Sequence, residues 1–178
     1  MITVDLYPFD PCSFLQMTAL VNIFSGTIEI NYFLRGETDK VLLPQSAAEP
    51  QRKMNLWDKT CFEFFMAPSD MPHYWEFNFS PSGDWNCFRL ENYRKDASFP
   101  EIEVPVMHLE TRQGLIFFQA LLNIPEITES AESWDIQIPA VIQLQDKSLR
   151  FWSNSHFCDE PDFHSRKNFI NQIKKSDF

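Results

Sequence analysis

The chain reads as all-β, an antiparallel sandwich, jelly roll or barrel, on three observations. Residues 60–66, 73–80 and 85–90 alternate apolar and polar side chains with the period of two that marks half-buried strands. Short Pro, Ser, Gly and Asp segments separate them. Eighteen Phe and five Trp supply the bulk that suits pleated sheets, and no helical pattern that could serve as a crossover lies between the strand candidates.

In chain order, 17–24 and 27–34 are apolar-rich runs joined at Ser25-Gly26, a hairpin signal, and the second alternates as Ile28, Ile30, Tyr32, Leu34. Residues 44–56 are polar, hold two prolines and read as a long surface loop leading into Trp57-Asp58. Further strand candidates are 102–110, 115–124, 135–144 and 149–156. Residues 115–122 are apolar on both faces, as a central strand requires. The tail predicts a short C-terminal helix: Asp162 can cap it, Phe163, Phe169, Ile170 and Ile173 fall on one side, and lysines gather at its end. Without repeat or boundary, 1–178 reads as a single domain, large enough to fold on its own core.

Pairing sets the faces, because a slip of one residue turns every side chain over. With Phe62, Phe64, Trp75, Phe77 and Phe79 inward, Phe64 falls opposite Trp75, Phe62 opposite Phe77 and Glu63 opposite Glu76. The connection Pro81-Ser-Gly-Asp84 then sets Phe77 beside Phe88 and Glu76 beside Arg89. Glu63, Glu76 and Arg89 form one row of the polar face in this register; Asn78, Cys61 and Cys87 form the next.

Charge and motifs exclude several functions. A net charge of −10 and pI near 4.8 repel phosphate backbones, so no nucleic-acid partner is expected. Four glycines and no GxGxxG or GxxxxGKS/T motif exclude the Gly-rich nucleotide loops. No apolar stretch reaches the 18 or so residues of a membrane span, and no basic leader precedes an apolar run, which predicts a cytoplasmic protein with no membrane partner. Cys12, Cys61, Cys87 and Cys158 are spaced too widely for a zinc knuckle or CxxC and read as free thiols.

Residues 56–65 (Leu-Trp-Asp-Lys-Thr-Cys-Phe-Glu-Phe-Phe), 74–85 (Tyr-Trp-Glu-Phe-Asn-Phe-Ser-Pro-Ser-Gly-Asp-Trp), Tyr93-Arg94, Trp152-Ser-Asn-Ser-His156 and Pro161-Asp-Phe-His164 resemble bacterial DOMON-like proteins related to family 9 carbohydrate-binding modules. The resemblance implies a DOMON/CBM9-like β-sandwich, immunoglobulin- or jelly-roll-like, with a ligand site on or beside one sheet. That site holds sugars in some members of the superfamily and haem in others. It transfers no catalytic residue and fixes fold better than function.

Two carboxylates opposed on one face repel unless a cation or ligand offsets them, which makes the Glu63/Glu76/Arg89 row a site candidate; a solvated sheet face is the alternative. Sugar recognition needs flat aromatic faces and planar polar groups. Trp57, Tyr74 and Trp85 can supply the faces; Glu63, Glu76, Asn78, Arg89 and Arg94 the polar set. His156 and His164 flank an acidic turn and are either loop anchors or metal or haem ligands, although no HxH, HExxH or CxxCH spacing supports the second role. The resulting reading is non-catalytic binding of a saccharide or similar polyhydroxylated ligand without cofactor. The competing readings are a glycoside hydrolase-like enzyme using Glu63 and Glu76, or a metal or haem protein.

Overall fold

Period-two alternation becomes strand almost throughout the computed structural model, which describes residues 1–24 and 26–177; Ser25 of the first hairpin signal lies outside the described residues. The strands are β1 (Ile2–Pro8), β2 (Leu15–Phe24), β3 (Thr27–Gly36), β4 (Cys61–Pro68), β5 (Tyr74–Phe79), β6 (Trp85–Asn92), β7 (Lys95–Ser98), β8 (Val106–Arg112), β9 (Leu115–Asn123), β10 (Ser133–Gln137), β11 (Ala140–Gln143), β12 (Leu149–Ser153) and β13 (Asn171–Lys174). They form one hydrogen-bonded antiparallel path, β7-β6-β5-β4-β11-β12-β1-β2-β3-β9-β8, with β10 also beside β4 and β13 beside β10.

The path curls so that its two halves enclose the main core. Phe62 of β4 stacks on Phe118 of β9 with ring centroids 4.5 Å apart, and Tyr32 of β3 packs against both. β1 joins the halves: Ile2–Leu6 pair with β2, whereas Tyr7 and Pro8 pair with β12. The all-β, antiparallel expectation therefore holds, in the form of one continuous curled sheet.

Three local expectations are corrected. The segment 135–144 is two strands because Pro139, which has no N–H to donate to a ladder, breaks it. The tail is not a helix: a 3-10 turn at Arg166–Asn168 leads into β13, whose Ile173 lies opposite Trp134 of β10. So short a helix would be marginal in water, whereas β10 offers a row of unpaired backbone groups. The registers also differ. Phe62 faces Phe79, Glu63 faces Asn78 and Phe65 faces Glu76, two residues from the expected pairing, so the faces of β4 and β5 are as expected. Between β5 and β6 the shift is one residue, with Phe79 opposite Trp85, Phe77 opposite Cys87 and Glu76 opposite Phe88. Every side chain of β6 is thereby turned over.

Candidate functional site

All eight residues of β4 and all six of β5 are buried, so the outward face of these strands does not meet bulk water. A second apolar cluster covers it, in which Phe65, Tyr74, Phe88, Leu90, Val141, Phe163 and Phe169 are joined by the partly buried Trp57 and Phe151. The cover comes from three segments. The 44–60 loop is tied to the start of β6, where the Trp85 N–H donates to Gln51 O, the Lys53 N–H to Trp85 O, and Lys53 Nζ meets Asp84 at 2.9 Å. Its last turn, Leu56–Asp58, sets Trp57 against Phe88. The second segment is the β6–β7 hairpin tip at Tyr93-Arg94, and the third is the 157–169 stretch.

Asp162 joins the second and third segments. Its carboxylate accepts hydrogen bonds from Arg94 Nη2 (3.0 Å), the Tyr93 hydroxyl (3.0 Å) and the His164 N–H (3.1 Å), and its carbonyl oxygen accepts one from Asn168 Nδ2 (2.7 Å). Arg94 itself adopts a left-handed backbone, φ 52°, and its N–H donates to the Tyr74 hydroxyl.

A cavity of about 350 Å³ lies between the sheet and this cover. Trp57, Phe88, Leu90, Val141, Phe151 and Phe163 give it apolar walls, and Glu63, Glu76, Arg94 and His164 are its charged or titratable members. Glu63 and Glu76 are 3% and 6% exposed. Glu63 is held from behind: its N–H donates to Pro139 O at 3.0 Å, and its carbonyl oxygen accepts the Tyr32 hydroxyl across the core at 2.5 Å. Among the described residues no hydrogen bond reaches its carboxyl group. Glu76 Oε1 accepts from Asn78 Nδ2 at 2.7 Å, and its Oε2 lies 3.9 Å from His164 Nε2.

The Tyr74 hydroxyl oxygen accepts the Arg94 N–H and lies 2.8 Å from His164 Nδ1, a hydrogen bond that holds the imidazole with Nε2 turned toward Glu76. Burial, helped by the nearby Arg94 charge, lowers the His164 pKa to about 4, so the ring is neutral at physiological pH. Burial likewise raises Glu76 to about 7 against the opposing pull of Asn78 and Arg94. Burial, and then Glu76, push Glu63 well above the carboxylate range.

Of the residues singled out from sequence, Trp57, Glu63, Glu76, Arg94 and His164 line this cavity; Tyr74 and Asn78 hold His164 and Glu76 in place. Three lie elsewhere. Trp85 belongs to the main core, with Arg52 over its ring, because the one-residue shift turns β6 over. The same shift sends Arg89 to the ring of Trp75 and to Glu91. His156 binds the Tyr7 carbonyl oxygen at 2.8 Å and meets Phe9 edge-on, an anchoring role. Phe88, read from sequence as inward, and Leu90 are cavity walls, and Asp162 is the joint of the cover. Among the described residues, no group of three His, Cys, Asp or Glu side chains converges as a metal site.

No protein-family model and no curated protein matches the chain. Solved structures do. A "putative carbohydrate-binding protein" from Bacteroides uniformis matches with a TM-score of 0.65 and 14% identity, over 96% of this chain and 86% of that one. A family 9 carbohydrate-binding module from Caldicellulosiruptor kristjanssonii, in complex with glucose, matches with a TM-score of 0.54 and 8% identity, over 94% and 79%. The architecture is thus CBM9-like; at these identities the likeness is one of fold.

Proposed function

We propose that this chain is a single-domain, DOMON-like sugar-binding protein of the cytoplasm, holding a saccharide of one or two rings in the covered cavity without covalent chemistry. The observation that carries the reading is the union, in one cavity, of aromatic walls with carboxyl, guanidinium and imidazole groups, of which Glu76, Arg94 and His164 are already held by hydrogen bonds. Aromatic rings take the C–H face of a sugar, and planar polar groups take its paired hydroxyls. The glucose held by the family 9 module of like fold supports the same ligand class. Hydrolysis is the second reading, favoured by two buried carboxyl groups that hold protons above the ordinary carboxylate range.

A thermal-shift and calorimetric screen of neutral mono- and disaccharides tests the first reading. A ligand at 100 times its Kd adds about 2.7 kcal/mol to the folded state, a shift of about 5 to 11 °C for a chain of this length. Absence of any shift across the panel refutes it, and appearance of new reducing ends from an oligosaccharide would move the assignment to the second.

A further inference from the structure

Two carboxyl groups, each more than nine-tenths buried, share the cavity floor with Arg94 as the one Lys or Arg side chain lining it among the described residues. That guanidinium already faces the Asp162 carboxylate at 3.0 Å, so it is not free to neutralise a second and third negative charge. Placing two anions in one buried cavity, with one half-committed cation, costs more than leaving a proton on one of them. The hydrogen bonds decide which. Glu76 accepts the Asn78 amide on Oε1, whereas nothing among the described residues donates to the Glu63 carboxyl group. Of the two, Glu76 is therefore the one that ionises first, and Glu63 keeps its proton.

Resting on the saccharide reading, we infer that occupation of this cavity releases a proton from the Glu63/Glu76 pair, so that the site takes uncharged polyols and rejects their carboxylic acids. Hydroxyl donors from a neutral sugar stabilise the ionised form of Glu76. Its O–H bond breaks, the proton passes to the buffer, the carboxylate keeps the electron pair, and Glu63 remains a neutral acid able to donate to a sugar oxygen. A uronate would instead bring a third negative charge to a floor with no spare cation.

The groups that face Glu76 leave this pair alone to respond near neutrality. Cys61 from β4 is held well above its ordinary range by burial, and Tyr74 on β5 itself stands at about 12; Cys87 of β6, on the core side of the sheet, is likewise pushed up to about 12 by burial. His164 from the cover is at about 4, and Arg94 from the hairpin tip remains charged against Asp162. Glu76, at about 7, exists in both forms at neutral pH.

The probes are D-glucose and D-glucuronate, measured by calorimetry from pH 6 to pH 8 in buffers of different ionisation enthalpy. Glucose affinity should rise about tenfold over that range, following the ionised fraction of Glu76, with close to one proton released at pH 6 and few at pH 8. Glucuronate should bind at least tenfold more weakly than glucose at pH 7. Glu76→Gln should flatten the pH profile, and Glu63→Gln, which keeps a donor but no titratable proton, should retain it. Carbon-13 resonances of the Glu side chains in the ligand-free protein give a readout independent of any ligand and any variant: one carboxyl should titrate near 7. Proton-neutral glucose binding, tighter binding of glucuronate, or both carboxyls titrating in the ordinary range would overturn the inference and leave the saccharide reading standing. If glucose does not bind, the neutral sugar that the panel identifies and its uronic acid replace the two probes; failure of the whole neutral panel would overturn both readings.

Discussion

At the scale of single residues, Trp57 and Trp85 differ both in burial and in the side of the sheet they occupy. Trp85 is buried in the main core with Phe79 opposite, so Trp85→Ala should remove about 3 to 5 kcal/mol of stability, read by urea denaturation. Trp57 is partly buried against Phe88 at the cavity wall. Trp57→Ala should weaken sugar binding severalfold while costing under about 1.5 kcal/mol, since its ring is held by one covering turn. Equal stability losses in the two variants would contradict this division. Glu63, Glu76 and Asn78 were legible in the sequence as one polar face because β4 and β5 alternate cleanly. Trp85 and Arg89 were not, because both parities of β6 carry large apolar residues: Trp85 and Cys87 on one, Phe88 and Leu90 on the other. No hydrophobicity argument separates them.

At the scale of elements, the parity of β6 is decided by its turn. Five residues, Ser80–Asp84, stand between the paired Phe79 and Trp85, one more than the connection read from sequence. The Ser80 N–H donates to Asp84 O, the Gly83 N–H donates to Ser80 O with Gly83 at φ 96°, and the Ser82 hydroxyl bridges Ser80 and Asp84. Such a turn is visible only in atomic contacts. The cover was invisible for a related reason: periodicity reports which face of a strand is apolar, but not which later loop will lie on it. The Asp162 joint puts this to the test. Asp162→Asn keeps the shape but removes the charge that holds Arg94, and with their 51% and 15% exposed side chains the pair should cost about 1 kcal/mol to lose. The larger effect should be local. Amide exchange at Tyr93–Lys95 should accelerate, and sugar affinity should drop severalfold; unchanged exchange there would show that the hairpin tip stands without Asp162.

At the scale of the whole molecule, the two buried acids should leave a signature in the dependence of stability on pH. Folding raises Glu76 from 4.5 to about 7, so between those values the folded protein holds a proton that the unfolded chain has lost, and stability falls as pH rises through the window. His164 acts in the opposite sense: lowered from 6.5 to about 4, it contributes stability that is lost as pH falls through that range. Glu76→Gln removes the first effect alone. Relative to the parent, the variant should gain on the order of 3 kcal/mol between pH 4 and pH 8, measured by urea unfolding at both ends. A constant difference would mean that Glu76 titrates as an ordinary surface acid.

The position of β1 sets a timetable for synthesis. Its inner residues find β2 within the first two dozen positions, but Tyr7 and Pro8 wait for Ser153 and Trp152. At translation rates of about 5 to 20 residues per second, the wait lasts about 7 to 29 seconds. Throughout that interval β1 carries an open edge at Tyr7 and Pro8, and this seam closes between segments far apart in the chain. A nascent chain stalled before β12 should therefore be a strong client for chaperones, and one stalled shortly after it a weak one.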